Sequence, residues 1–249
     1  MQKLWYAQPA AAWSEALPIG NGSLGAMLFG GSTHERIALN EDTFWSGHPH
    51  DTNRPGAAEA WREARALALS GRLHEAQTLL EAKAQGSYTE NYLPVGDLLL
   101  DQPGAEEAYT LRGLNLETAV HRTEYRVGGV SFLREAFVSH PGRALFLRLT
   151  ADRPGAVNVT LRLQSQLEHA IRSKANLLTM DLRAPSHSDP SYHSTAEPVV
   201  YSDVPAEQGM RCRVQLAVTL TGGSLESDGG ALVVRGADAL ELRLVIRTS

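Results

Sequence analysis

YRVGGVSFLREAFVS, residues 125–139, decides the class of fold. Apolar and polar residues alternate on both sides of Gly128–Gly129. A period of two sends successive side chains to opposite faces of a strand, and a double glycine between two such runs reads as a turn. The pattern repeats in RALFLRLTA (143–151), VNVTLRLQSQL (157–167), NLLTMDLRA (176–184), CRVQLAVTLTGG (212–223) and ALVVRGADALELRLVIRTS (231–249). RPG and SDGG turns lie between them. Several strands at close turn spacing mean a β-sandwich or barrel, not a βαβ fold. The expectation is a mainly β chain: one large antiparallel two-sheet sandwich over residues 1–249.

Upstream, residues 1–55 read as short strands between glycine and proline turns. Residues 57–84 differ. They are alanine-rich and carry Trp61, Ala64, Ala68, Leu73, Ala76 and Leu80 at helical spacing. With Gly71 where a C-terminal cap would fall, they predict an inserted helical hairpin. Residues 184–209 break all periodicity, with four prolines, two histidines and two tyrosines. A loop this long inside a domain tends to be functional or disordered, and aromatic residues weigh against disorder.

The chain has 249 residues, 43% of them hydrophobic, and a net charge of −5. That is enough apolar material for a real core. Lysine and arginine form no block, so nucleic acid is not an expected partner. No apolar run reaches membrane-spanning length, and MQKLWYAQPA has no signal-peptide core, which reads as cytoplasmic with secretion of a longer parent left open. One cysteine, Cys212, allows neither an internal disulfide nor a CxxC metal site. GNGSLG (20–25) matches a dinucleotide-binding pattern, but AMLFGG after it reads as a strand where a helix is required, so no cofactor is expected. His48 and His50 lack a third ligand at a recognised spacing, so no metal is expected either.

WSEALPIGNGSLGAMLFGG (13–31), ERIALNEDTFWSG (35–47), YLPVGDLLL (92–100), YTLRGLNLETA (109–119) and FLREAFVSHPGRAL (132–145) resemble, in this order, the N-terminal domain of family-95 glycoside hydrolases. APSHSDPSY and PVVYSD…GM extend the resemblance to about residue 210. It implies an α-L-fucosidase type of parent, with some relatives acting on α-L-galactosides. It also implies a β-sandwich followed by a helical linker, an (α/α)₆ barrel that carries the inverting catalytic groups, and a smaller β domain. The barrel and linker are the implied partners, and a fucosylated oligosaccharide the implied substrate. No residue here matches the family's catalytic motifs, so no catalytic residue is assigned.

The residues agree. Glycoside hydrolysis usually takes two carboxyl groups about 5–9.5 Å apart across the bond. Glu41 and Asp42 are neighbours, so on a strand they face opposite ways. Their local reading is a strand end whose polar side chains satisfy turn amides before a turn at Gly47. Asp97 in PVGDLLL is a further acid, and whether it approaches Glu41 in space is not decided by sequence alone. Trp45 has core packing as its plain reading. Stacking aromatics and paired polar groups are what sugars need, and Trp45, Tyr88, Tyr92, Tyr192 and His193 could supply them. The expected border of the parent's pocket is Asn40, Glu41, Trp45, His187, Tyr192 and His193, with Tyr201 in the same loop. An autonomous carbohydrate-binding module and a pure scaffold domain stand as alternatives.

Overall fold

Residues 125–139 do form a hairpin: Val127 pairs with Val130 and Tyr125 with Phe132 across Gly128–Gly129. Both glycines have positive φ, as a two-residue hairpin turn requires. The computed structural model describes residues 2–86 and 89–249; Tyr88 lies outside them. In chain order come β1 (Lys3–Tyr6), β2 (Leu17–Gly20), β3 (Leu24–Leu28) and β4 (His34–Glu41). Helices α1 (Ala57–Leu69) and α2 (Leu73–Lys83) follow. Next are β5 (Gly96–Asp101), β6 (Glu106–Asn115), β7 (Val120–Val127), β8 (Val130–Ser139), β9 (Ala144–Ala151) and β10 (Val157–Gln164). The chain continues through β11 (His169–Lys174), β12 (Leu177–Arg183), β13 (His187–Ser188) and β14 (Val199–Val200). It closes with β15 (Arg211–Thr221), β16 (Ser224–Asp228), β17 (Ala231–Ala237) and β18 (Ala239–Thr248).

Two large antiparallel sheets result. One has nine strands in the order β1-β6-β7-β8-β9-β18-β15-β12-β11, the other seven in the order β16-β17-β10-β5-β4-β3-β2. Alternation decides what each buries. Cys212, Val214, Leu216 and Val218 of β15 face inward, as do Val157, Val159, Leu161 and Leu163 of β10. The apolar residues of both inner faces form one core, which is the two-sheet sandwich the period predicts.

The helical hairpin is present, and the Gly71 N–H caps α1 on the Ala68 carbonyl at 3.0 Å. Its buried stripe differs from the one expected. Ala60, Ala64 and Ala76 are buried, whereas Trp61 and Leu73 are exposed. The fully buried side chains of the hairpin are alanines, Ala68 and Leu80 are half-buried, and Trp61 and Leu73 stand outside. Residues 184–209 also hold more structure than their pattern suggests. β13 and β14 pair as a two-stranded finger, His187 opposite Val200. The Ala184 N–H on the Met210 carbonyl closes its base.

Among the described residues, one ion pair is buried in the core. Glu35 of β4 and Arg134 of β8 are each 1% exposed and bonded to one another across the sandwich. Glu35 also accepts the N–H groups of Phe29 (3.1 Å) and Gly30 (3.0 Å). Burial raises its carboxyl pKa, against the pull of Arg134 and those amides. His121 of β7 is fully buried nearby, and among the described residues neither ring nitrogen has a hydrogen-bond partner. Burial first, then the positive charges of Arg134 and Arg112, push its pKa down to about 3.

Two outcomes follow from these groups. Arg134→Met should cost about 3–5 kcal/mol in chemical denaturation, because a carboxylate is left buried without its counter-ion. The double variant with Glu35→Leu should recover most of that loss. For His121 the unfolded pKa near 6.5 lies above the folded one. Its contribution is therefore complete above pH 6.5 and declines as pH falls toward 3, since only the unfolded chain takes the proton. Between pH 6.5 and 5, His121→Leu should lose less stability than the parent chain by about 2 kcal/mol, read from denaturation midpoints at each pH.

Candidate functional site

The stretch after β4 changes direction earlier than its sequence suggests. β4 ends at Glu41, and the Phe44 N–H returns to the Glu41 carbonyl at 3.2 Å, so the turn is Asp42–Thr43. Glu41 is 8% exposed and folds back to accept the Thr43 N–H (2.8 Å) and hydroxyl (2.7 Å). This is the local, amide-satisfying role. Asp42 is exposed, so the two neighbours do face apart. Asp97 does not approach Glu41. It lies on the outer face of the seven-stranded sheet, bonded to Arg36 Nε at 2.9 Å.

The aromatic pair after the turn divides its work. Phe44 is the core residue at 0% exposure, and Trp45 stands 44% exposed, which corrects its core reading. The Trp45 indole donates to the Asp42 carbonyl at 3.3 Å. Its ring lies 5.4 Å from that of Tyr92, also partly exposed, and the two residues form an isolated antiparallel bridge. The Asn40 side-chain amide donates to the Tyr92 hydroxyl at 2.9 Å. Burial raises the Tyr92 pKa, so the phenol stays protonated across ordinary pH.

A polar cluster adjoins this pair. Its centre is Glu90, which sequence reasoning missed. Glu90 accepts the Ser46 hydroxyl, His187 Nδ1 at 2.7 Å and the Ser188 N–H at 3.1 Å. His187 Nε2 lies 3.3 Å from Asp189, and Asp189 also bonds His193 Nδ1 (3.0 Å) and the Thr195 hydroxyl (3.0 Å). Glu90 chiefly, then Asp189, raises the His187 pKa, and the hydrogen bond from His193 leads in lowering that of Asp189. Asn91 donates to the Ser188 carbonyl at 2.8 Å and so pins the finger to the 90–92 segment. Gly47 lies at positive φ, and a Cβ there would come within 2.5 Å of the Glu90 side chain. The residue must be glycine for the carboxylate to reach Ser46.

Of the expected border residues, the fold thus brings His187 and His193 into one network and Asn40 and Trp45 into another, beside it. Glu41 is turned inward beneath them. Tyr192 is 79% exposed, one residue from His193. Tyr201 sits apart, its ring under the Arg183 guanidinium at 5.2 Å. The His48 and His50 rings lie 5.2 Å apart, tilted at 44°, and His48 Nδ1 lies 3.1 Å from the Ser186 carbonyl. The last strand passes the same place: the Thr43 and Thr248 hydroxyls are 2.5 Å apart. Glu90 and Asp189 left no sequence signal, because a lone acid in a loop resembles any other.

Chemically, both carboxylates of the cluster are occupied. Each carboxylate is engaged by three donors, so neither is a free proton donor or nucleophile. The exposed groups are aromatic faces, imidazoles and an amide, which suit neutral hydroxyl-rich ligands.

Residues 4–249 match the family model described as "Glycosyl hydrolase family 65, N-terminal domain". "Alpha-L-fucosidase 2" of Arabidopsis thaliana is 36% identical over 249 residues, covering 95% of this chain and 29% of that protein. "Probable alpha-fucosidase A" of Aspergillus oryzae is 24% identical, covering 98% and 32%. The protein of the same name from Aspergillus niger is 28% identical over 180 residues, covering 67% and 22%. The chain spans less than a third of the length of these curated relatives. The matching model is named for family 65 and the sequence blocks resemble family 95; the two agree on the N-terminal domain of a glycoside hydrolase. By the match across residues 4–249, the chain belongs to the glycosyl hydrolase family 65 N-terminal domain family.

Proposed function

We propose that this domain borders the substrate pocket of an α-L-fucosidase-type glycoside hydrolase of the family-95 kind, with α-L-galactosides as the alternative substrate. In this reading the inverting chemistry belongs to a helical (α/α)₆ barrel in a longer protein. The observation that carries it is the joint surface of Asn40, Trp45, Tyr92, His187 and His193, built at one end of a rigid sandwich. The fucosidase relatives, each more than three times longer than this chain, support the choice of sugar. Trp61, Leu69 and Leu73 of the hairpin are 60%, 81% and 67% exposed, an apolar surface suited to being covered by the barrel or linker. Asn40, Trp45, His187, Tyr192 and His193 then form the leaving-group side of the pocket, and Glu41 braces the turn below it.

The 249-residue chain alone should release no fucose from an α-1,2-fucosylated oligosaccharide or an aryl fucoside. Turnover that disappears in Glu90→Gln would place the chemistry in this domain and overturn the reading. In the longer protein, alanine at both Tyr192 and His193 should raise KM or lower kcat for the oligosaccharide, by about tenfold, and change aryl fucoside kinetics much less. Contacts to the remote part of the substrate are lost while those to the reacting sugar remain. Equal effects on both substrates in a normally folded variant would assign the finger to scaffolding.

A further inference from the structure

A second feature lies outside this cluster, on the outer face of the seven-stranded sheet. Trp13 sits in a 3₁₀ turn (Trp13–Glu15) and is 59% exposed. It forms one wall of a cleft of about 480 Å³. Ala38 and Asn40 of β4, Asp97 of β5 and Gln164 of β10 line the same space, with Arg36 beside them. Alternation places these β4, β5 and β10 residues on the solvent side, while Ile37, Leu39, Leu98 and Leu163 go to the core. Ala38 is not bulky; the small side chain at that position leaves room on the floor.

The cleft is rigid before any ligand arrives. Arg112, 2% exposed, donates from below to the Gln8 carbonyl (2.8 Å) and the Glu15 carbonyl (2.7 Å), so it holds both ends of the segment that carries Trp13. The Glu15 carboxylate accepts the Ala11 N–H at 2.8 Å and tightens the same turn. On the floor, Asp97 accepts Arg36 Nε at 2.9 Å and the Gln164 amide at 3.1 Å. Arg36 also lies 4.9 Å from the Phe29 ring centroid. A buried arginine thus fixes a turn whose tryptophan faces solvent, which a purely core-building tryptophan would not need.

We propose that this cleft is a carbohydrate-binding subsite on the domain itself, taking one or two neutral sugar rings of an oligosaccharide. Its volume lies within the roughly 300–1,000 Å³ of small-molecule sites. Trp13 offers a flat apolar face to the C–H side of a pyranose ring. Asp97, Asn40 and Gln164 supply acceptors and donors for ring hydroxyls, and the Arg36 guanidinium has five N–H donors, of which Asp97 takes one at Nε. Arg36 and Asp97 neutralise each other, so the site favours neutral sugars over uronates or phosphates. Asn40 joins the cleft to the Tyr92–Trp45 pair, so one extended glycan can contact both. The choice of a fucosylated probe rests on the proposed function; the cleft itself does not.

The test uses the ¹⁵N-labelled 249-residue chain and 2′-fucosyllactose, followed by the indole N–H resonance of Trp13, identified by its absence in Trp13→Ala. That resonance should shift and saturate by about 20 mM sugar, as a millimolar site would. Affinity, read from other perturbed amides, should fall about tenfold or more in Trp13→Ala and less in Gln164→Ala. Both side chains are exposed, so the variants should keep the parent's amide spectrum elsewhere. No saturable shift at Trp13, an equal shift with glycerol at matched concentration, or unchanged affinity in Trp13→Ala would each overturn the proposal. Failure here leaves the kinetic comparison at Tyr192 and His193 untouched, so the two readings fall separately.

Discussion

The Glu35–Arg134 pair is the constraint on which the rest of the arrangement depends. Apolar faces attract without direction, so two sheets could slide over one another at little cost. A charge pair buried from both sides has one good geometry. Burying two charges adds little net stability, since desolvation offsets most of their attraction. What the pair supplies is position: β4 of one sheet is set against β8 of the other. Its reach extends further. Arg134 also donates to the Gly31 carbonyl at 2.6 Å, and the Tyr109 hydroxyl donates to the Gly30 carbonyl at 2.7 Å. The turn between β3 and β4 is thereby held by two strands of the facing nine-stranded sheet, and β4 leaves it aimed at the Asn40–Trp45 surface.

The fold was largely legible because the period of a strand is a local property. Every alternating segment in 125–249 became a strand, and residues 57–84 became two helices. Parity even contained the buried acid. Glu35, Ile37, Leu39 and Glu41 share one face of β4, and that face is the buried one. What parity cannot state is which distant residue meets Glu35, because Arg134 lies 99 positions away. The hairpin shows a second limit. Helical spacing marked Trp61 for burial, yet the fully buried positions of the hairpin are the alanines Ala60, Ala64 and Ala76, and the tryptophan stays outside.

The site was legible in part, for similar reasons. His187 and His193 stood out because aromatic residues in a long proline-rich segment are unusual. β13 and β14 did not, since strands of two residues are too short to carry a period. For Trp45 the sequence left two readings, core packing by size and the pocket border, and the structure exposes it. The turn at Asp42–Thr43 comes earlier than Gly47 suggested, and that shift gives the core position to Phe44. Trp13 was passed over because nothing in WSEALP distinguishes an exposed aromatic from a buried one; the distinction is made by Arg112, 99 residues later in the chain.

The state of the carboxylates bears on what chemistry this surface can do. A general acid must keep a proton to give, and a nucleophile must keep a lone pair to offer. Glu90 holds a hydroxyl, an imidazole and a backbone N–H, and Asp189 two imidazoles and a hydroxyl. Such acids orient what they hold. His187 is fixed between them at both ring nitrogens, and the bond from Asn91 to Ser188 keeps the finger from swinging. Side chains already fixed lose little entropy when a ligand arrives, so a surface built this way favours recognition over chemistry. The same logic holds at Trp13, where the ordering is done by a buried guanidinium and the aromatic face is left to the solvent side.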